Sequence, residues 1–162
     1  MTAPPASSLL ARIAEAKQRG DLGSLLAMIP YAAFLGLSTE VVSGELITTM
    51  HPGEHLIGNP MLPALHGGTL GALVESAAIF ELVVRAQSAL LPKTITLTID
   101  YLRSAALCAT HACGVVTRHG RRVANVRVEA WQEDRRAQEV LSLIHISEPT
   151  RRTPISYAVF CL

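Results

Sequence analysis

The residue best placed to do chemistry is Glu75. It lies in an apolar run, residues 70–86, whose only charged members are Glu75, Glu81 and Arg85. On a helical wheel stepping about 100° per residue, Leu70, Leu73, Ala77, Phe80 and Val84 gather opposite Glu75, as a stripe that would face a core. Glu75 shares its own side with Gly71, Ala72, Ala78, Ile79, Leu82 and Ala86. A solvated helix face carries several charges; this one carries a single carboxylate among small and apolar neighbours. Small neighbours would let a second surface, a subunit or a substrate, come close. A carboxylate in such a setting is suited to general-base or nucleophilic work, although an ordinary exposed glutamate on a mostly buried helix would give the same spacing. Glu81 and Arg85, at i and i+4, read as a solvated pair on a flank.

His66-Gly67-Gly68 precedes this helix. Glycines at a helix N-terminus expose backbone N–H groups at the positive end of the helix dipole. Such groups can hold the oxyanion of a carbonyl under attack, and His66 could orient a substrate or a water. The same three residues also fit a tight helix start with a capping or surface histidine.

The elements that must position these groups follow from periodicity. Ser7 or Ser8 can cap a first helix over residues 9–19, ended by Gly20, and Asp21 can cap a short second one that stops before Pro30. Residues 34–51, rich in Val, Ile and Thr and divided at Ser43-Gly44, predict a hairpin. Residues 52–65, with Pro52, Gly53, Gly58, Pro60 and Pro63, read as a loop. A helix from about residue 69 to residue 90 is stopped by Pro92. Residues 94–103 alternate Ile95, Leu97, Ile99 and Tyr101 with polar partners, a period of two. Residues 107–118 and 121–133 are further strands, turned at His119-Gly120 and at residues 133–135. Hairpin-length turns favour an antiparallel sheet. A helix this apolar has to be covered, so the expected fold is α+β: a curved antiparallel sheet wrapped around one long central helix.

The chain has 162 residues, 49% apolar and 17% charged, with a formal charge of +1. That is one globular domain, with no bulk charge to drive binding to nucleic acid or to a membrane surface. The N-terminus lacks a signal-peptide pattern, and the charges at Glu75, Glu81 and Arg85 break the apolar run short of an uninterrupted membrane span. Cys108, Cys113 and Cys161 show no metal-ligand spacing. They read as reduced and structural, so the expected setting is a reducing, cytoplasmic one, with no metal.

Residues 66–78, HGGTLGALVESAA, resemble the signature of the hotdog-fold acyl-CoA thioesterases related to the phenylacetate-pathway and 4-hydroxybenzoyl-CoA enzymes. Residues 96–105, TLTIDYLRSA, resemble the strand that follows the helix in that family, and RHGRRVANVRVE its next hairpin. The resemblance covers about residues 36–133. It implies a hotdog fold and a thioesterase acting on a medium-chain or aryl acyl-CoA. Glu75 would be the general base or nucleophile, the Gly68 N–H the oxyanion donor, and His66 an aid at the carbonyl. It implies active sites between two subunits of a homodimer or homotetramer, and no cofactor beyond the coenzyme A carried by the substrate. Asn59 is the candidate water-positioning residue, since Pro60 stands where relatives carry Asn or Gln. Gly67 and Ile79 join the substrate-binding set, with Phe80 and Val83 as further pocket candidates. Arg103, Arg118, Arg121 and Arg122 are candidates for the CoA phosphates, and each also fits an exposed charge near a turn. A hotdog hydratase or dehydratase and a non-catalytic acyl-CoA-binding hotdog domain are the alternatives; Asn59 and His66, seven apart with no Asp between, do not make the hydratase motif.

Residues 141–151, LSLIHISEPTR, resemble the in-frame translation of a transposon-end sequencing adapter, and residues 155–162 the flow-cell adapter that follows it. The expected organisation is one domain over residues 1–140, with residues 1–33 an N-terminal helical segment and residues 141–162 a non-native tail. Setting aside Glu148, Arg151 and Arg152 leaves the rest formally neutral. Apolar residues in the tail could still occupy a strand position.

Overall fold

The computed structural model describes residues 11, 14–16, 18–85, 92–120, 123–133 and 135, and the backbone of residues 140–144 and 160–161. The expected cap at Ser7 or Ser8 lies outside these residues. Asp21 does open a helix, α1 (Leu22–Ala27), its Oδ1 accepting the Ser24 N–H at 3.0 Å. A second short helix that the pattern did not announce, α2 (Pro30–Phe34), starts with Pro30 in its first turn, where a missing N–H is harmless. The hairpin is β1 (Leu37–Val42) and β2 (Glu45–Met50), turned through Ser43 and Gly44, both at positive φ. Residues 52–65 are more ordered than a loop: a 3-10 turn (Glu54–Leu56) leads into a small hairpin of β3 (Ile57–Asn59) and β4 (Ala64–Leu65).

The long helix, α3 (Gly67–Arg85), spans 19 residues. By length and composition it could cross a membrane, contrary to the expectation drawn from its charges. Its packing sets it apart: Leu70, Leu73, Val74, Ala77, Ala78 and Leu82 are buried in the main core with Met50, Ala112, Val126 and Val128 of the sheet. After it come β5 (Lys93–Thr94), β6 (Asp100–Tyr101), β7 (Thr110–His119), β8 (Val123–Gln132), β9 (Val140–Ile144) and β10 (Phe160–Cys161). Among the described residues every pairing is antiparallel. The main sheet runs β1-β2-β7-β8, then β9 and β10 side by side along β8, with β6 and β5 outside them. This is the expected curved sheet around one helix.

Three further expectations need correction. Residues 94–103 do not form one strand: β5 and β6 are its two ends, each paired with one short C-terminal piece, and residues 95–99 lie between them unpaired in the sheet. Period-two alternation makes a strand only where a neighbour supplies hydrogen bonds along its whole length. Val84 is exposed instead of completing the apolar stripe. Glu81 does pair with Arg85, but it is buried at 1% exposure, under β7. The helix approaches so closely there because Gly114 has no side chain; a Cβ on it would lie 3.3 Å from the Glu81 Cβ and 3.5 Å from the Ala77 carbonyl oxygen.

One buried side chain ties the turn before β7 to β8. Gln132 Nε2 donates to the Ala106 carbonyl and to Thr110 Oγ1, both at 2.8 Å, and its Oε1 accepts the Ala106 N–H at 3.0 Å. Gln132→Ala would take the acceptor from the Ala106 N–H and remove a bond each from Thr110 Oγ1 and from the Ala106 carbonyl, which keeps the Cys108 N–H at 2.9 Å. It should lower unfolding free energy by about 2–3 kcal/mol in guanidinium titration, with the m-value unchanged.

Candidate active site

The start of α3 is built from two directions. The β3–β4 hairpin delivers the chain to His66, whose N–H donates to the Leu56 carbonyl at 2.8 Å. Gly58 lies directly against His66; a Cβ on it would sit 2.6 Å from the His66 Cα. The His66 carbonyl then caps the helix, accepting the Thr69 N–H at 2.9 Å and the Thr69 hydroxyl at 2.7 Å. The His66 ring turns back over the first helical turn, and its Nδ1 accepts the Gly68 N–H at 2.9 Å. An acceptor Nδ1 leaves the ring proton on Nε2. Among the described residues the Gly67 N–H has no acceptor, so of the two glycine amides it is the open one.

From the other direction comes Tyr101 in β6. Its hydroxyl donates to the Gly67 carbonyl at 2.7 Å; its ring packs against the bare face of Gly67 and its hydroxyl lies over that of Gly71. Burial pushes its phenol above the ordinary tyrosine range. Tyr101, Arg103, Ser104 and Ala105 line one side of an open cleft of about 380 Å³; Ala64, Leu65, Gly67 and Leu70 line the other. Tyr101 and Ser104 were not singled out from the sequence, where Tyr101 was only one beat of an alternating strand.

Glu75 lies eight residues beyond Gly67 on α3. It is half-buried, and among the described residues it makes no hydrogen bond or ion pair. Ile79, one turn on, packs between the main core and the cluster formed with the N-terminal segment. On this side of α3, Gly71, Ala78 and Leu82 are already buried within the chain, Gly71 beneath Ile99, so the face is only partly open. Phe80 and Val83 are buried against α1 and its surroundings, away from the cleft.

Of the other expected site residues, Arg103 is in the cleft. Asn59 is exposed at the tip of the β3–β4 hairpin, where its Oδ1 accepts the Met61 N–H at 3.0 Å and shapes the turn. Arg118 is exposed near the far end of β7, eight residues or roughly 27 Å of extended strand from Thr110. Thr110 is the end of β7 that Gln132 ties to the cleft turn, so one chain does not bring Arg103 and Arg118 together. Arg121 and Arg122 lie outside the described residues. Cys108 and Cys113 are free thiols, both pushed above the usual cysteine range by burial. Among the described residues no three His, Cys, Asp or Glu groups converge as metal ligands.

A curved antiparallel sheet around a central helix, with a glycine-rich turn opening that helix, defines a hotdog protein. The profile of the thioesterase superfamily matches residues 62–138, and the chain belongs to that family. A Chromobacterium violaceum protein of known structure is 30% identical, covering 94% of this chain and 96% of its own, with a TM-score of 0.67. The PaaI protein from the E. coli phenylacetic acid degradation operon is 20% identical, covering 78% of this chain and 88% of its own, at 0.64. A Bacillus halodurans protein crystallised with CoA is 17% identical, covering 99% of this chain and 96% of its own, at 0.65. At these lower identities PaaI and the CoA-bound protein share the fold. No protein of curated function matches the chain in sequence.

Gly58→Ala tests the seating of His66. The added Cβ meets backbone, which cannot rotate away, so the variant should lose about 1–3 kcal/mol of stability. Thermal unfolding followed by circular dichroism should show a lower midpoint.

Proposed function

We propose that this chain is an acyl-CoA thioesterase in which Glu75 activates water or attacks the thioester carbonyl. The observation that carries this reading is Glu75 itself: a half-buried carboxylate on a core helix, without a partner among the described residues, in a chain of the thioesterase superfamily. In hydrolysis the water oxygen bonds to the acyl carbon, the C–S bond breaks, and coenzyme A leaves as the thiol. Backbone N–H groups at the start of α3 receive the negative charge that develops on the carbonyl oxygen. The Gly67 N–H is open to it, whereas the Gly68 N–H reaches it once the His66 ring yields its bond. With its proton on Nε2, His66 acts as a donor towards the carbonyl. The amide donors of Asn59 are available to hold the water.

Eight residues of α-helix separate Gly67 from Glu75, about 12 Å along the axis. One thioester carbonyl cannot touch both in the same chain, even with the glutamate leaning towards the helix N-terminus. The reaction therefore joins Glu75 of one protomer to the glycine turn of its partner, in a homodimer or a homotetramer. The acyl group is medium-chain or aryl, lying against the apolar side of the shared site near Ile79. Arg103 in the cleft is placed to meet CoA phosphate, and Arg118, Arg121 and Arg122 remain candidates for it across the subunit boundary. The reaction draws on no metal or resident cofactor. The free thiols of Cys108 and Cys113 suit a cytoplasmic setting.

Release of free thiol from a panel of acyl- and aryl-CoAs tests the reading. Glu75→Gln should lose at least about 100-fold in kcat, the scale of a lost catalytic base. A folded wild-type protein that hydrolyses none of the panel would overturn it.

The shared site makes its own prediction. Glu75→Ala and Gly68→Val should each be inactive alone. Unfolded and refolded together at equal amounts, they should recover about a quarter of the wild-type sites, as random pairing in a two-fold dimer requires. No recovery would place both groups in one chain.

A further inference from the structure

The first turn of α3 is poorly suited to hold itself. Three of its first five residues are Gly67, Gly68 and Gly71, and each glycine costs about 1 kcal/mol against alanine in a helix interior. A peptide unit flanked by two glycines also meets little steric resistance to rotation. Yet the unit joining Gly67 to Gly68 is held at both ends. Its carbonyl oxygen accepts the Tyr101 hydroxyl at 2.7 Å, and its N–H donates to His66 Nδ1 at 2.9 Å. Because the unit is planar, fixing the carbonyl fixes the direction of the N–H, and with it the acceptor to which the imidazole is tied.

Tyr101 packs directly on two of these glycines. A Cβ on Gly67 would lie 3.5–3.6 Å from the phenol ring and hydroxyl, and one on Gly71 would lie 3.5 Å from the hydroxyl and 3.0 Å from Ile99 Cδ1. A neighbouring strand thus clamps a helix start that its own glycines leave weak.

We propose that Tyr101 is a positioning residue for the oxyanion-binding turn: its hydroxyl fixes the Gly67–Gly68 peptide unit and, through it, the tautomer and orientation of His66. The catalytic consequence rests on the thioesterase reading. The structural consequence does not. The hydroxyl touches the turn and acts on the reacting carbonyl only through it. Its loss costs transition-state stabilisation and leaves the acyl and CoA contacts in place. The raised phenol pKa agrees with this, because it keeps the hydroxyl a donor throughout the neutral range.

Tyr101→Phe, which removes one oxygen and keeps the ring on the glycines, tests this in two independent ways. In thiol-release assays well below the melting temperature, kcat should fall about tenfold, part of what a whole oxyanion donor is worth, while KM stays within about twofold. In ¹⁵N NMR of the full chain, the wild-type His66 ring should show an unprotonated Nδ1 and a protonated Nε2. The phenylalanine variant should show mixed tautomers and faster exchange of the Gly68 amide. An unchanged His66 tautomer and unchanged Gly68 exchange in the variant would overturn the proposal, whatever the activity. So would an unchanged kcat beside an active wild type. A wild type that turns over no thioester would remove the thioesterase reading alone, because the NMR comparison still decides whether Tyr101 sets the turn.

Discussion

Everything in this molecule follows from the burial of α3. A helix with Leu73 and Val74 fully covered, and most of its length packed in the main core, has to be surrounded. One curved sheet with the N-terminal segment across its end does that. Apolar burial at about 25 cal/mol per Å² favours the arrangement, but it leaves a problem for every polar group the helix carries. Such groups can face a break in the wall, be paired within it, or be covered by something outside the chain.

The two glutamates of α3 take different solutions. Glu81 lies under β7, and Arg85, more than half exposed at its side chain, reaches back one turn to neutralise it. A buried carboxylate without such a partner is costly, so this pair answers a packing need. Glu75, two turns earlier on another side, receives no cation from the described residues. It is left half-covered and unpaired, and the proposed chemistry rests on that feature. One helix thus carries a carboxylate paired for packing and another that the chain leaves unpaired among the described residues.

Much of this was legible in the residues. The central helix, the β1–β2 hairpin and the β7–β8 pairing follow from local periodicity and turn chemistry, which act over a few residues. The errors fall where the outcome depends on distant chain. Glu81 and Arg85 have the spacing of a solvated pair, and only the arrival of Gly114 from β7, more than thirty residues on, decides that Glu81 is buried. Residues 94–103 alternate faithfully yet make only two strand ends, because strand formation needs a partner and alternation does not supply one. Tyr101 escaped notice for the same reason: its hydroxyl meets a carbonyl thirty-four positions away, and nothing in the spacing of a strand marks that contact.

The same dependence on partners joins the sheet edge to the site. Tyr101 sits in β6, and β6 is held in the sheet by β9, with Tyr101 opposite Ser142 and Asp100 opposite Leu143. On its other side β9 lines up with β8, from Val128 opposite Ile144 to Trp131 opposite Val140. Residues 141–144 belong to the segment that resembles adapter sequence. They take this place because strand pairing is made by backbone groups that every residue but proline carries in full. The register covers only part of β8, and β10 returns to occupy the opening beside Val123 and Ala124. A continuous strand of about nine residues would span the same length of β8 and would also run past residues 95–99, which pair with no strand among the described residues. The wall outside α3 would then be continuous from β8 to β6. Tyr101, in a strand paired over more of its length, would then press on the Gly67–Gly68 turn from a firmer base, which ties the glycine turn to the strand that pairs β6 as well as to the helix it opens.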